Sequence, residues 1–268
     1  MSSVSIAARL ETALDSWRGW SIQLRRRPVV VEEIAGGLTN RTWRLETDCG
    51  PAILRLDSRY SRLLGIDRAM ESRVLAAVSA AGVAPAVWFN DAREGVLVST
   101  FIDGQVWSAD DLAEPSKCAR LADAIESYRR LPLPEGVGRF DYLAHLDHYR
   151  RQLATAGITD VVRELNLLYE RWRPAIARWQ ESGWTPALTH HDLNPANIIE
   201  SAGGLYIVDW EYAGVGCPQL DDLMLPGTEE GAAGAPAADV LQQKEEITAL
   251  VGRLMTGFWY PVREMLCG

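Results

Sequence analysis

The fold is decided by two neighbouring stretches of sequence, HHDLNPAN at residues 190–197 and LYIVDWEYAG at residues 205–214. The first places a carboxylate, Asp192, and an amide, Asn197, on one short loop. The second is an apolar run that ends in another carboxylate, Asp209, and so predicts a buried strand with an acid at its mouth. Metal-dependent phosphoryl transfer uses such a trio. One carboxylate orients the attacking hydroxyl and takes its proton, while an amide and a carboxylate hold Mg²⁺ against ATP phosphates.

These residues also have a simpler interpretation. Asp and Asn in loops that contain proline usually form turns with their own backbone, and Asp192 or Asn197 taken alone fits that role. Their combination with Asp209 favours the chemical interpretation, because three such features follow one another in order. We therefore predict that Asp192 is catalytic and that Asn197 and Asp209 bind the metal.

The two stretches resemble the catalytic loop and metal-binding segment of the aminoglycoside phosphotransferase and choline kinase superfamily, distant relatives of protein kinases. There the pattern reads His-x-Asp-x-x-x-x-Asn and then Ile-Asp-[Trp/Phe]-Glu. The resemblance implies an α+β, two-lobed protein-kinase-like fold with a small antiparallel N-terminal sheet, one helix, and a larger, mainly helical C-terminal lobe. We expect residues 1–102 to form the nucleotide-binding lobe with a leading helix, and residues 103–268 the catalytic and substrate-binding lobe. The resemblance also implies a structural role for His190, whereas the role of His191 is left open.

Lysine is nearly absent, since Lys117 and Lys244 are the only two in the chain. Kinases usually hold the nucleotide phosphates with a lysine on the third strand, paired with a helix glutamate. The corresponding predicted strand carries Arg55 instead, and arginine can bind phosphate and pair with a carboxylate. Choline, ethanolamine and thiamine kinases look similar at this position, whereas aminoglycoside kinases typically keep lysine. We predict that Arg55 pairs with Glu71 on a helix over residues 66–80, the alternative being an exposed helix glutamate.

A glycine-containing turn precedes that strand. Residues 29–34 and 41–46 are predicted strands joined by GGLTN at residues 36–40, where glycines would let backbone amides approach phosphate. The run resembles Gly-Gly-[Met/Leu]-[Thr/Ser]-Asn of choline and thiamine kinase-like proteins, although a plain hairpin is the alternative. Further strands are predicted at residues 86–89 and 95–102, the second leading into an interlobe hinge. The predicted nucleotide-binding residues are Gly37, Thr39, Asn40, Arg55, Glu71, Thr100 and Ile102.

Trp210, Glu211 and Tyr212 follow the predicted metal ligand directly. Aromatic faces and a carboxylate suit a quaternary ammonium or thiazolium, so we predict that all three bind substrate. The run also looks like bacterial choline-kinase-like and thiamine-kinase-like sequences. Relatives continue with Gly-Asp-Pro-x-x-Asp-Leu-Ala, whereas GCPQLDDL at residues 216–223 lacks the first acid and doubles the second. Asp221 fits the register as a structural acid, with Asp222 as the alternative.

The second half of the chain has helical periodicity over residues 112–131, 142–156, 160–182 and 240–258. Pro174 should kink or restart the third of these helices. Residues 226–239 lack periodicity and are predicted to form a flexible loop.

Composition excludes several other classes of protein. The chain has 268 residues and a formal net charge of −9, which argues against nucleic acid or anionic membrane as a partner. An acidic balance is compatible with a cationic substrate. No apolar run approaches the roughly 18 residues that cross a bilayer, so a cytoplasmic protein is expected. Its four cysteines lack metal-ligand spacing, and the oligomeric state is not determined by the sequence.

The sequence thus predicts an ATP- and Mg²⁺-dependent kinase that phosphorylates the hydroxyl of a small, cationic alcohol. Choline or ethanolamine is the first choice of acceptor and thiamine the second. Two alternatives stay open. One is an aminoglycoside or amino-sugar kinase, and the other is a catalytically weak pseudokinase that serves as a binding module.

Overall fold

The computed structural model describes residues 5–35, 39–225 and 236–267, with side chains in the last range from residue 243. The N-terminal elements are α1 (Ile6–Asp15), β1 (Val29–Ile34), β2 (Arg41–Glu46), β3 (Ala52–Leu56), α2 (Arg68–Ala80), β4 (Val87–Asp91) and β5 (Val96–Thr100). The strands form one antiparallel sheet in the order β1-β2-β3-β5-β4.

The side chains of β3 alternate between a buried face of the sheet and the opposite face. Ala52, Leu54 and Leu56 are buried in a core that α1 covers with Ala13 and Leu14. The intervening side chains point to the opposite face, because successive residues of a strand alternate. Arg55 therefore projects toward α2, and this direction underlies the site described below.

Helix α2 begins at Arg68 because Asp67 caps it. The Asp67 carboxylate accepts hydrogen bonds from the backbone N–H groups of Ala69 (2.9 Å) and Met70 (3.1 Å). Such caps satisfy donors that have no partner inside the helix. Val74 and Val78, further along the helix, are buried in a core that also contains Leu188 and Trp210. Arg68 is thus fixed as the first helical residue, at the end that faces the C-terminal part of the chain.

The C-terminal part is mainly helical. Its elements are β6 (Gln105–Val106), α3 (Pro115–Arg129), α4 (Tyr142–Thr155), α5 (Arg163–Ser182), β7 (Ala187–Thr189), β8 (Ile198–Ser201), β9 (Gly204–Ile207), β10 (Gly214–Gly216), α6 (Gln219–Asp222) and α7 (Pro236–Cys267). Helices α4, α5 and α7 share one core, to which Tyr149, Tyr169 and Phe258 contribute. Two small sheets, β6-β8-β9 and β7-β10, frame the loops that carry the two motifs.

The predicted α+β architecture is confirmed, with an antiparallel N-terminal sheet and a helical C-terminal part. Two of its helices differ from the expectation. Helix α5 does not restart at Pro174 but continues to Ser182, because Ile176 and Trp179 beyond the proline are buried in the core and hold the last turns in place; a kink at Pro174 stays a prediction. Helix α7 begins at Pro236 and ends at Cys267, so it is longer at both ends than predicted.

The loop predicted over residues 226–239 lies outside the described residues as far as residue 235, and its last four residues are helical. The division of the chain after residue 102 stays a prediction. Among the described residues, no helix is long and apolar enough to span a membrane.

Candidate active site

The loop between β7 and β8 holds the first motif, and a buried acid anchors its start. The Asp221 carboxylate accepts hydrogen bonds from the backbone N–H groups of His190 (2.8 Å) and His191 (3.0 Å) and from the Tyr128 hydroxyl (2.7 Å). Asp222 instead pairs with Arg129 at 2.7 Å. Of the two alternatives, the structure therefore places Asp221 at the loop.

His190 connects this loop to the second motif. Its Nδ1 accepts a hydrogen bond from the backbone N–H of Asp192 (3.3 Å), and its Nε2 lies 3.0 Å from the carbonyl oxygen of Val208. Burial lowers the pKa of His190, so the ring is neutral and Nε2 carries the donated proton. The position suits the predicted structural role.

His191, whose role the sequence left open, lies behind the loop. It has a positive φ of 67°, and its ring lies between the Tyr212 carbonyl oxygen (2.9 Å) and the Tyr142 hydroxyl (2.8 Å). Burial lowers its pKa to about 3. These contacts hold the end of the second motif against α4.

Asp192 and Asn197 lie close together on the loop. Nδ2 of Asn197 donates to the backbone carbonyl oxygen of Asp192 (2.9 Å) and, at 3.4 Å, to its carboxylate. Asn197 is buried, whereas Asp192 is exposed. Because the amide nitrogen is turned toward Asp192, the Oδ1 atom of Asn197 is the group that can ligate a cation.

Asp209 follows β9 in a left-handed conformation, with φ 63° and ψ 56°. Such a backbone costs a non-glycine residue about 1–3 kcal/mol and is common at functional sites. Partial desolvation raises the Asp209 pKa to about 6, although 37 % of the side chain is exposed; the charge of Arg55 opposes this shift and that of Asp192 increases it. Partial desolvation by the surrounding protein groups likewise raises the pKa of Asp192 to about 6, although the residue is exposed at the surface, and the charge of Glu211 adds to this. The two predicted motifs therefore form one electrostatic site.

Arg55 approaches this site from β3. Its Nη2 lies 2.7 Å from Oε1 of Glu71 and 3.0 Å from Asp57, and its Nη1 lies 3.7 Å from Asp209. Glu71 is only 3 % exposed, so the alternative of an exposed helix glutamate is wrong. Burial acts to raise the Glu71 pKa, but Arg55 and Arg68 outweigh it and lower the pKa.

Glu211 joins the C-terminal part to the sheet. Its carboxylate accepts hydrogen bonds from Asn40 (2.8 Å) and Thr39 (3.3 Å) and forms an ion pair with Arg68 (3.0 Å). Burial raises the Glu211 pKa to about 7, and the charge of Asp209 adds to this, while Arg68 opposes it. The side chains of Thr39 and Asn40, predicted at the nucleotide, thus contact Glu211 in this structure.

The prediction that Trp210 binds substrate is wrong. Trp210 has 0 % of its surface exposed, its Nε1 donates to the Ile207 carbonyl oxygen (2.9 Å), and its ring contacts His190 and Tyr128. Apolar packing against these rings accounts for the side chain, and no face is open to a ligand. Tyr212 is also buried, and its hydroxyl contacts Trp259 and the Leu64 carbonyl oxygen. Substrate contact by Glu211 and Tyr212 stays a prediction.

The other predicted nucleotide residues are spread out. Thr100 ends β5 next to Ala86, and Ile102 follows in the connection to β6, where a hinge was expected. Gly37 lies outside the described residues. Sequence reasoning did not identify Arg68, although an arginine three residues before Glu71 on one helix was the available signal.

The family is decided by a match over most of the chain. A sequence profile described as the phosphotransferase enzyme family matches residues 30–250. The chain belongs to the phosphotransferase enzyme family. The superfamily resemblance that the motifs indicated is thereby confirmed, as is the predicted enzyme class at the level of the family.

Individual relatives agree with this assignment. "Protein LicA" of Haemophilus influenzae is 23 % identical over 208 residues, which are 77 % of this chain and 60 % of that protein. The chain thus spans about 60 % of the length of the curated relative that it matches.

Three solved structures share the fold. Choline kinase LicA of Streptococcus pneumoniae has a TM-score of 0.69 at 20 % identity, covering 89 % of this chain and 87 % of its own. A choline/ethanolamine kinase family protein of Mesorhizobium loti has a TM-score of 0.59 at 25 % identity, covering 96 % and 86 %. An aminoglycoside phosphotransferase has a TM-score of 0.58 at 16 % identity, covering 90 % and 96 %. The first and third show the fold alone.

The ion-pair network of Arg55 and Arg68, which does not include Asp192, carries an excess of negative charge. Arg55 and Arg68 contribute two positive charges, and Asp57, Glu71, Asp209 and Glu211 contribute four negative ones when ionised, which leaves −2. One divalent cation would neutralise that excess. Asn197 and Asp209 offer two protein oxygens, the number that Mg²⁺ usually takes while phosphates and waters complete its shell. In the ranges that the structure describes, no group of three or more His, Cys, Asp or Glu forms a metal site by itself.

A cavity of about 1440 Å³ lies beside this network. Its lining includes Thr39, Asp57 and Arg68 as well as the exposed Arg59, but not Asp192, Asn197 or Asp209. The cavity therefore adjoins the ion-pair network and does not cover the predicted catalytic loop. For this reason we do not identify it with the acceptor site.

Proposed function

We propose that this phosphotransferase moves the γ-phosphoryl group of ATP to the hydroxyl of a small alcohol. The observation that carries the proposal is the meeting of Asp192 and Asn197 on one loop, Asp209 at a strand end, and Arg55 on the facing strand. Each residue type matches a task in phosphoryl transfer.

In the proposed mechanism, Asp192 accepts a hydrogen bond from the acceptor hydroxyl and aligns it with the γ-phosphorus. The new O–P bond forms as the bond to the β,γ-bridging oxygen breaks, ADP leaves, and the hydroxyl proton passes to Asp192. A pKa of about 6 leaves Asp192 ionised near pH 7 and still able to take a proton in the transition state.

Asn197 and Asp209 would hold Mg²⁺, which when bound neutralises charge on the phosphate oxygens. The net charge of −2 calculated above for the ionised network supports this assignment. Arg55, held by Glu71 at 2.7 Å, would contact the nucleotide phosphates in place of the usual lysine. Thr39, Asn40, Thr100 and Ile102 remain proposed nucleotide contacts through turn and hinge positions.

For the acceptor we propose choline or ethanolamine first and thiamine second. Similarity to a choline/ethanolamine kinase family protein supports this choice, and so does the acidic cluster of Asp192, Asp209 and Glu211, which favours a cation. The buried Trp210 lends it no support. An aminoglycoside or amino sugar is the alternative, since an aminoglycoside phosphotransferase shares the fold. A cytoplasmic location, where ATP is available, is part of the proposal.

The test is ADP release from Mg-ATP with choline, ethanolamine, thiamine, an aminoglycoside or an amino sugar as acceptor. Wild type is compared with Asp192→Asn and with Asp110→Asn, which changes an exposed carboxylate on the turn before α3. We expect turnover that depends on the acceptor, falls by about 10²–10⁴-fold in Asp192→Asn and is unchanged in Asp110→Asn. Binding of ATP without turnover for any acceptor would favour the pseudokinase alternative.

A further inference from the structure

Arg68 connects four separate segments around the candidate site. Its guanidinium lies 2.7 Å from Glu71 on α2, 3.0 Å from Asp57 after β3 and 3.0 Å from Glu211 in the second motif. It also donates to Oδ1 of Asn40 (2.9 Å) and to the hydroxyl of Ser61 (3.0 Å). Only 9 % of the side chain is exposed. A single buried cation is therefore shared by both parts of the fold.

The two carboxylate oxygens of Glu71 each pair with a different arginine. Arg68 takes Oε2, while Arg55 takes Oε1 at 2.7 Å. Through Glu211, the same guanidinium also reaches the segment two residues after Asp209. Displacing Arg68 would take one cation from Glu71 and Glu211 together, leaving Glu71 with Arg55 and Glu211 with Asn40 and Thr39, and would loosen the positions of Arg55 and Asp209.

We propose that Arg68 is a positioning residue for phosphoryl transfer, which sets the phosphate-binding Arg55 and the metal-binding Asp209 relative to each other. This inference rests on the proposed function. Arg68 acts through Glu71 and Glu211 and does not touch the reacting atoms.

Arginine suits this role and lysine does not. A guanidinium presents five N–H donors in a rigid plane, so it can bind several carboxylates at fixed angles. An ammonium group is a point charge with three donors on a flexible stem. Arg68→Lys therefore keeps the positive charge but loses the geometry, whereas Arg68→Met removes both. The lysine variant separates positioning from simple charge balance.

The experiment measures kcat and the KM for Mg-ATP in Arg68→Lys, Arg68→Met, and matched Arg73→Lys and Arg73→Met controls. Arg73 lies on the same helix, is exposed, and donates to the Gly136 carbonyl oxygen at 3.1 Å, away from the site. We expect kcat to fall at least ~10-fold in Arg68→Lys and at least ~100-fold in Arg68→Met. The Arg73 variants should stay within about twofold of wild type, because they leave the network intact.

A double variant tests the route through Glu211. If the two residues act together, Arg68→Met lowers kcat by a smaller factor in a Glu211→Gln background than in wild type. If they act independently, the factor is the same in both backgrounds. Equal factors would remove Glu211 from the proposal. An unchanged kcat and KM in Arg68→Lys, with the melting temperature retained, would overturn the proposal as a whole.

Binding of Mg-ADP, measured by calorimetry, keeps this inference distinct from the proposed function. If wild type binds Mg-ADP but transfers to no acceptor, the transfer proposal fails, and the binding comparison still tests Arg68. We then expect binding about tenfold weaker in Arg68→Lys than in wild type, because Arg55 and Asp209 are misplaced. Equal affinities would overturn the inference, and absence of Mg-ADP binding in wild type would overturn both proposals. Should Arg68→Met not fold, Arg68→Lys carries the comparison.

Discussion

The pKa of the Asp192 carboxyl group is raised to about 6 by partial desolvation among the surrounding protein groups and by the nearby charge of Glu211, although the residue is exposed at the surface. Asp209, with a pKa of about 6, and Glu211, with a pKa of about 7, belong to the same cluster. Protons bound to these groups remove the proposed base and a proposed metal ligand together. The titration of kcat/KM reports such groups in the free enzyme.

We therefore predict that kcat/KM falls on acidification, beginning near pH 7 and steepening below pH 6 as more than one carboxyl takes a proton. The measurement is kcat/KM for Mg-ATP from pH 5 to 8, with activity re-measured at pH 7.5 after each acid exposure to exclude unfolding. A flat profile between pH 5 and 7 would contradict the prediction.

Individual residues differ in how far the sequence determines them. The pair of Arg55 and Glu71 was predictable from the resemblance to kinases, which pair a cation on the third strand with a helix glutamate. Trp210 was not, since an aromatic beside a metal ligand can face a substrate or a core, and only the direction of the short turn after Asp209 decides between them. The full role of Arg68 was not predictable, because two of its five partners, Asn40 and Glu211, come from segments far away in sequence.

At the scale of elements, the strand composition and the glycine-containing turn predicted β1 and β2 with the bounds that the structure shows. Helix ends were harder. Pro174 is tolerated in α5 because tertiary packing offsets the lost hydrogen bond. The alanine-rich start of α7 lacks helical periodicity in its sequence, which predicts a loop there, whereas the structure has a helix from Pro236. Local propensity and long-range packing disagree at these places, and packing prevails.

The connection between β3 and α2 packs against α4. Gly65 allows the backbone of this connection to lie close to the ring of His145. Gly65 has a φ of +77°, and a Cβ added there would lie 2.6 Å from Cε1 of His145. The neighbouring Leu64 is fully buried in the helical core, and its carbonyl oxygen accepts hydrogen bonds from the hydroxyls of Tyr149 (2.8 Å) and Tyr212 (3.2 Å). The segment thus joins the sheet to the helical part through the close approach of Gly65 to His145 and the hydrogen bonds to Leu64.

We predict that Gly65→Ala lowers the free energy of unfolding by about 2–5 kcal/mol, the sum of a left-handed alanine and an overpacked contact. Gly82→Ala is the matched control, because Gly82 has a similar φ of +74° with nothing within 4 Å of the added Cβ. It should cost only the backbone part, about 1–2 kcal/mol. The measurement is urea unfolding of both variants. Equal losses would show that the ring of His145 moves aside without cost.

On the scale of the whole molecule, acid affects stability through opposing groups. Asp192, Asp209 and Glu211 have raised pKa values, so they bind protons more readily in the folded state and offset acid destabilisation. His145 and His191 act in the other direction, since burial lowers the pKa of each to about 3. A profile of wild-type stability against pH therefore combines the effect of the carboxyl groups with that of the histidines. A variant that removes one histidine is needed to separate the two effects.

His145 provides that separation, because it lies on α4 away from the proposed reacting groups. Between pH 6.5 and about 3 the unfolded chain binds a proton at this position and the folded chain does not, so stability is lost as pH falls through this window. The loss is at most about 1.4 kcal/mol per pH unit and is reduced by the partial exposure of the ring. We predict that His145→Gln, although less stable than wild type at pH 7.5, loses less stability between pH 6.5 and 4.5. Urea unfolding at each pH measures the difference between the two proteins, and curves that stay parallel across the window would contradict the prediction.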